Sequence, residues 1–255
     1  MDPTEKKKVL QSLVFPSILL AVLWMIKLLE FLLKSDFSDF GIYPQHIEGL
    51  RGILFAPLLH AGFAHLAANS VPLFVLTAAL FYFYDKIAPW IFSLLWLVTG
   101  FWVWVFAKDT GIHIGASGVV YALAAFHFTG GLIRREPRMM AFSLLVVFLY
   151  GGLIWGIIPN FMPDKNISWE SHMMGLLAGV ILAFFYRNNG PRRKEYSWDE
   201  DEDDEPDEEP PAQDGVPGKE PWLLTEDQKS SHGDSVEIVY HIKKTPTEDR
   251  INNGH

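Results

Sequence analysis

The sequence predicts an all-α, polytopic membrane protein, with six transmembrane helices in a bundle and a disordered acidic C-terminal tail. Three observations predict it. Hydrophobic residues make up 49% of the 255-residue chain and gather in long blocks between positions 9 and 187. Basic residues recur in alternate connections between those blocks. Charge is also divided along the chain: residues 1–194 carry 16 Lys+Arg against 11 Asp+Glu, a net +5, and residues 195–255 carry 5 against 19, a net −14.

The apolar blocks cover about residues 9–33, 57–84, 89–107, 115–133, 139–158 and 171–186. Each is near the ~20 residues that cross the hydrocarbon of a bilayer, and the sixth is the shortest. The first block is longer than the ~7–15-residue core of a signal peptide and has no small-residue exit, so it reads as a retained span. Lys6, Lys7 and Lys8 precede it, Lys86 follows the second block, Arg134, Arg135 and Arg138 follow the fourth, and Arg187, Arg192, Arg193 and Lys194 follow the sixth. The opposite connections hold only Lys34, Arg51, Lys108 and Lys165. The positive-inside rule therefore puts both termini in the cytoplasm. The expected location is a bacterial plasma (inner) membrane, because no transit-peptide pattern precedes the first span.

Two regions follow: a membrane domain over 1–190 and a tail over 191–255. Residues 199–209 are almost wholly acidic, with Pro206, Pro210 and Pro211 around their end. Such a stretch buries too little apolar surface to offset chain entropy. Residues 236–242 alternate loosely, but a single strand is not a domain. The absence of cysteine excludes disulfides, cysteine zinc sites and a cysteine nucleophile.

Polar groups inside the apolar blocks are costly and point to chemistry. His60, His65 and Asn69 lie near the start of the second block, Ser117 near the start of the fourth, and His172 near the start of the sixth. In the six-span topology all five reach a similar depth near the outer face. Tyr121, four residues after Ser117, shares its helical face. Gly118, Ala122 and Ala125 form a small-residue strip beside it, and His172, Gly175 and Gly179 share one face of the last block. Small residues let helices approach closely in membranes. Packing these strips together would bring Ser117 and His172 within hydrogen-bond reach, the requirement for an activated serine. His65 and Asn69 share a face and both donate hydrogen bonds, as an oxyanion site needs. Loss of one such donor typically costs about 2.7–4 kcal/mol of transition-state stabilisation. His60 lies about 140° from His65 on an ideal helix and is expected at the helix start or in the preceding loop. No His-Glu-x-x-His metalloprotease signature is present.

The order His60-x-x-x-x-His65-x-x-x-Asn69, Gly115-x-Ser117-Gly118 with Tyr121, and His172-x-x-Gly175-x-x-x-Gly179 resembles the rhomboid family of intramembrane serine proteases. Each motif is common alone, and together they are specific. The resemblance spans roughly residues 40–187. It implies a Ser117–His172 dyad without a carboxylate, with Tyr121 packed on His172. It also implies that His65, Asn69 and the Ser117 backbone N–H hold the oxyanion. The implied activity is cleavage in or beside the transmembrane segment of a single-pass substrate, with no metal or nucleotide. No nucleic-acid partner is expected, and the tail's partner stays open. Ser171 stands where the family often has alanine, and Leu50-Arg51 is nearest to the family's Trp-Arg pair.

Elsewhere, His113 reads as a loop residue or rim contributor, and His127 lies in the inner half of its span. Lys27 and Glu30 are spaced to pair. Trp90, Trp102, Trp104 and Trp155 read as interfacial anchors. Gly151, Gly152 and Gly156 make the fifth span pliable, which suggests lateral substrate access there, under a cap formed by residues 159–170. Two other functions compete. A non-catalytic rhomboid-like binder of membrane clients has no need of the Ser117–His172 pair. A transporter or proton channel calls for polar groups along the whole membrane depth.

Overall fold

The computed structural model describes residues 2–108, 111–149 and 168–190. Their secondary structure is helical: α1 (Pro3–Leu33), α2 (Gly52–Phe55), α3 (Phe63–Tyr84), α4 (Ala88–Phe106), α5 (Ser117–Arg134), α6 (Pro137–Leu149) and α7 (Trp169–Phe185). Short 3-10 turns fill part of the connection between α1 and α3. The second half of the fifth block, most of the 159–170 cap and the whole 191–255 tail lie outside the described residues.

Boundaries differ from the apolar blocks in two places. α1 begins at Pro3, because a proline in the first turn has no helical hydrogen bond to lose and the lysines after it are good helix formers. α3 begins only at Phe63, after the extended Gly62. Ahead of it, Ala56–Leu58 form a 3-10 turn. His60 is therefore a loop residue, one of the two placements that its angular offset from His65 suggests.

α5 is the central helix. Gly118, Val120, Ala122, Leu123, Phe126 and His127 are all buried, on every side of it. It packs against α7, α6, α3 and α4, while α1 packs on α3. Phe15 of α1 stacks on Phe81 at 4.7 Å between ring centroids and meets Phe92 edge-on at 5.0 Å. Four hydrogen bonds tie polar side chains into this core. Trp24 Nε1 donates to Ser70 Oγ at 3.1 Å, and Ser70 Oγ donates to the Leu66 carbonyl at 2.8 Å. Ser143 Oγ donates to the Ala124 carbonyl at 2.6 Å, and His127 Nε2 lies 3.0 Å from the Leu76 carbonyl oxygen.

The outside is apolar as well. Leu10, Ile18, Phe31, Trp90, Phe148 and Phe185 are exposed. Contiguous exposed apolar surface of this kind marks contact with lipid or a partner. The stretches Pro3–Leu33 and Phe63–Phe106 are long and apolar enough to cross a membrane.

Glycine sets the α5–α7 contact. A Cβ on Gly175 would overlap the Gly118 carbonyl oxygen, and one on Gly179 would overlap the Ala122 carbonyl oxygen. A Cβ on Gly118 would in turn lie 3.1 Å from the Ser171 carbonyl oxygen. At the basic end of the bundle the same two helices are fastened by Arg134. Its guanidinium donates to the Gly130 carbonyl at 3.0 Å and the Tyr186 carbonyl at 2.6 Å, and lies 5.2 Å over the Tyr84 ring. Gly175→Ala is expected to push the helices apart and lower stability by about 1–3 kcal/mol, the range for overpacking. Thermal unfolding in detergent checks this.

Candidate active site

Two helix starts meet here. Ser117 is the first residue of α5, and His172 lies in the first turn of α7. Their side chains touch: His172 Nε2 is 2.8 Å from Ser117 Oγ. The His172 ring stacks on Tyr121 at 4.2 Å between centroids and 19° between planes. His172 and Tyr121 are buried, and Ser117 is half-buried. The small-residue seam thus brings these three together.

The turn into α5 is shaped by Gly115. Its φ of +116° lies in the left-handed region, which favours glycine. A Cβ there would also lie 2.8 Å from His65 Cε1. The Gly115 N–H donates to the Ala56 carbonyl at 2.9 Å. His60 is buried and accepts the Ala116 N–H on Nε2 at 3.4 Å. The His60 and His65 rings meet edge-to-face at 5.2 Å. His65, half-buried, therefore sits against the backbone just before Ser117, and His60 orients that backbone. Asn69 is buried within its own helix, where Nδ2 donates to the His65 carbonyl at 3.0 Å. The first N–H groups of α5 have no acceptor within the helix, and the helix dipole favours negative charge beside them.

A polar frame surrounds this end. Lys27 Nζ donates to the His60 carbonyl at 2.8 Å and pairs with Glu30 at 3.0 Å. The other carboxylate oxygen of Glu30 accepts the Phe37 N–H at 3.0 Å. Arg51 lies over the Phe40 ring at 4.7 Å and donates to the Asp39 carbonyl at 3.0 Å. Trp104 Nε1 donates to the His46 carbonyl at 2.8 Å, so this indole fastens a loop.

By sequence, His113 reads as a loop residue or rim contributor, and Ser168 carries no assigned role. The structure joins them. His113 exchanges backbone hydrogen bonds with Ile42 at 2.8 and 2.9 Å. Its Nδ1 lies 2.6 Å from Ser168 Oγ and 3.4 Å from Ser171 Oγ. Ser168 caps α7, accepting the Ser171 N–H at 3.1 Å. The available signal was Ser168-x-x-Ser171 directly before the last apolar run, a helix-start pattern. Ser168 therefore fixes the turn that carries His172.

The Rhomboid domain matches residues 48–189. An uncharacterized protein of Mycobacterium tuberculosis (strain ATCC 25618 / H37Rv) is 34% identical over 179 residues, which cover 68% of this chain and 74% of that protein. An uncharacterized protein of Mycobacterium leprae (strain TN) is 30% identical over 180 residues, 69% and 70% of the two chains. The "Putative rhomboid protease YdcA" of Bacillus subtilis (strain 168) is 29% identical over 140 residues, 53% and 67% of the two chains. The chain belongs to the rhomboid family, whose members are integral membrane proteins associated with intramembrane proteolysis.

Ser168→Ala removes the cap of α7 and is expected to cost about 1 kcal/mol. Ser168→Thr should retain most of it. Melting temperatures of the two variants against the parent, in one detergent, test this.

Proposed function

We propose that this protein is an intramembrane serine endopeptidase that cleaves single-pass transmembrane substrates in or beside their membrane segments. The observation that carries the reading is the 2.8 Å contact between Ser117 Oγ and His172 Nε2 in a chain of this family. His172 acts as general base through an unprotonated Nε2, with the ring proton on Nδ1. Ser117 Oγ attacks the scissile carbonyl carbon as its proton passes to His172 Nε2. The tetrahedral oxyanion lies at the start of α5, served by the Ser117 N–H and by His65 and Asn69. The C–N bond then breaks, and His172 gives its proton to the leaving amine. Water repeats the sequence on the acyl-enzyme and regenerates Ser117. Tyr121 holds the imidazole plane by stacking, and His60 keeps the approach to Ser117 in place through the Ala116 N–H.

The reading includes six spans, with α6 as part of the fifth and both termini in the cytoplasm of a bacterial plasma membrane. The dyad then lies beneath the outer headgroups, where water enters from outside and substrate arrives laterally beside the fifth span. The acidic tail lies outside this chemistry.

A fluorophosphonate probe is expected to label the parent and not Ser117→Ala. His172→Ala should lower cleavage of an embedded single-pass substrate by at least about a thousandfold, as loss of one member of such a unit does. Equal labelling of parent and Ser117→Ala would remove the nucleophile assignment. Capture of the substrate without any cleavage by the parent would favour a client-binding protein instead.

A further inference from the structure

A groove opens between α1, α3 and α6, far from the dyad and beside the basic end of the bundle. Its volume is about 390 Å³. That is more than twice the ~150 Å³ of a dry apolar cavity that accepts a benzene ring. Leu13 of α1, Val75 and Ala78 of α3, and Phe142 of α6 form apolar walls. Ser12, also in the wall, donates to the carbonyl of Val9 in its own helix at 2.8 Å. The mouth is different. Arg138 and Tyr82 line it. Lys8 Nζ lies 4.5 Å over the Tyr82 ring. Lys6 and Lys7 are exposed on the same first turns of α1.

Two carboxylates near the mouth offset part of this positive charge, and the exposed lysines of α1 add to it. Glu5 accepts the Tyr82 hydroxyl at 3.0 Å. Glu136 reaches Arg138 at only 4.0 Å, and the Arg138 side chain is 73% exposed. A pair of that length in solvent contributes little.

We infer that this groove binds one anionic phospholipid, with an acyl chain between α1, α3 and α6 and the phosphate on Arg138 and Lys8. Apolar depth and a cationic rim are the two halves of that ligand, and basic pockets between spans on the cytoplasmic side suit anionic headgroups. The inference rests on the membrane orientation proposed above. Since α6 forms one wall, lipid occupancy would couple the composition of the inner leaflet to the position of the proposed access helix.

The test is native mass spectrometry of the full-length Ser117→Ala chain in detergent, titrated with phosphatidylglycerol, phosphatidylcholine or glycerol 3-phosphate. Binding is read without catalysis, so failure here leaves the protease reading standing, and failure of labelling leaves this one standing. One phosphatidylglycerol is expected to bind at least tenfold more tightly than phosphatidylcholine, with no retention of glycerol 3-phosphate. Arg138→Gln with Lys8→Gln should weaken binding about twenty-fivefold, taking about fivefold for each charge. Ala78→Phe should block binding by filling the groove, and the smaller Ala78→Leu, a second variant should the ring prevent folding, should weaken it. Equal affinity for the two phospholipids, an unchanged double variant, or binding that survives both Ala78 variants would overturn the site. Retention of glycerol 3-phosphate at the phospholipid's affinity would reduce it to a surface anion contact.

Discussion

Backbone contact between α5 and α7 sets the distances on which the site depends. Gly175 and Gly179 let α7 lie against the carbonyl groups of Gly118 and Ala122 with no side chain between. A hydroxyl one bond beyond Cβ reaches little distance, so Ser117 can touch His172 only if the two helix axes are this close. The Tyr121–His172 stack, one turn further along, fills the space beside the seam and removes rotational freedom from the imidazole. In a lipid setting, where apolar side chains gain little from leaving one apolar medium for another, such close packing carries much of the helix association.

The loops reinforce that geometry from outside the seam. His60 and Gly115 determine how the chain enters α5, and Lys27 ties the His60 carbonyl back to α1. His113 links the first loop, through Ile42, to the cap of α7 through Ser168. Both helix starts are thereby held by the same connection, and a change in one end of that connection reaches both Ser117 and His172.

Much of this was legible in the residues themselves. The spacing of Gly175 and Gly179 against Gly118 and Ala122 identified which helices pack, because small residues at helical intervals have few other uses in apolar segments. The angular offset of His60 from His65 placed it before the helix. The late start of α3 was less visible, since 57–84 is apolar throughout and hydropathy does not distinguish a 3-10 turn and loop from a helix. His113 and Ser168 were hidden for another reason. They lie 55 positions apart, and their contact comes from the fold. The Asn69 bond to its own helix is likewise a matter of rotamer, which pattern does not encode.

Arg134 gives the bundle its mechanical character. It clasps the far ends of the same two helices whose near ends carry Ser117 and His172, reaching the Gly130 and Tyr186 carbonyls while lying on Tyr84. Two rods joined at top and bottom travel as a single body. Ser117 and His172 then move with that body, and any widening of the bundle must be borne by the surrounding helices.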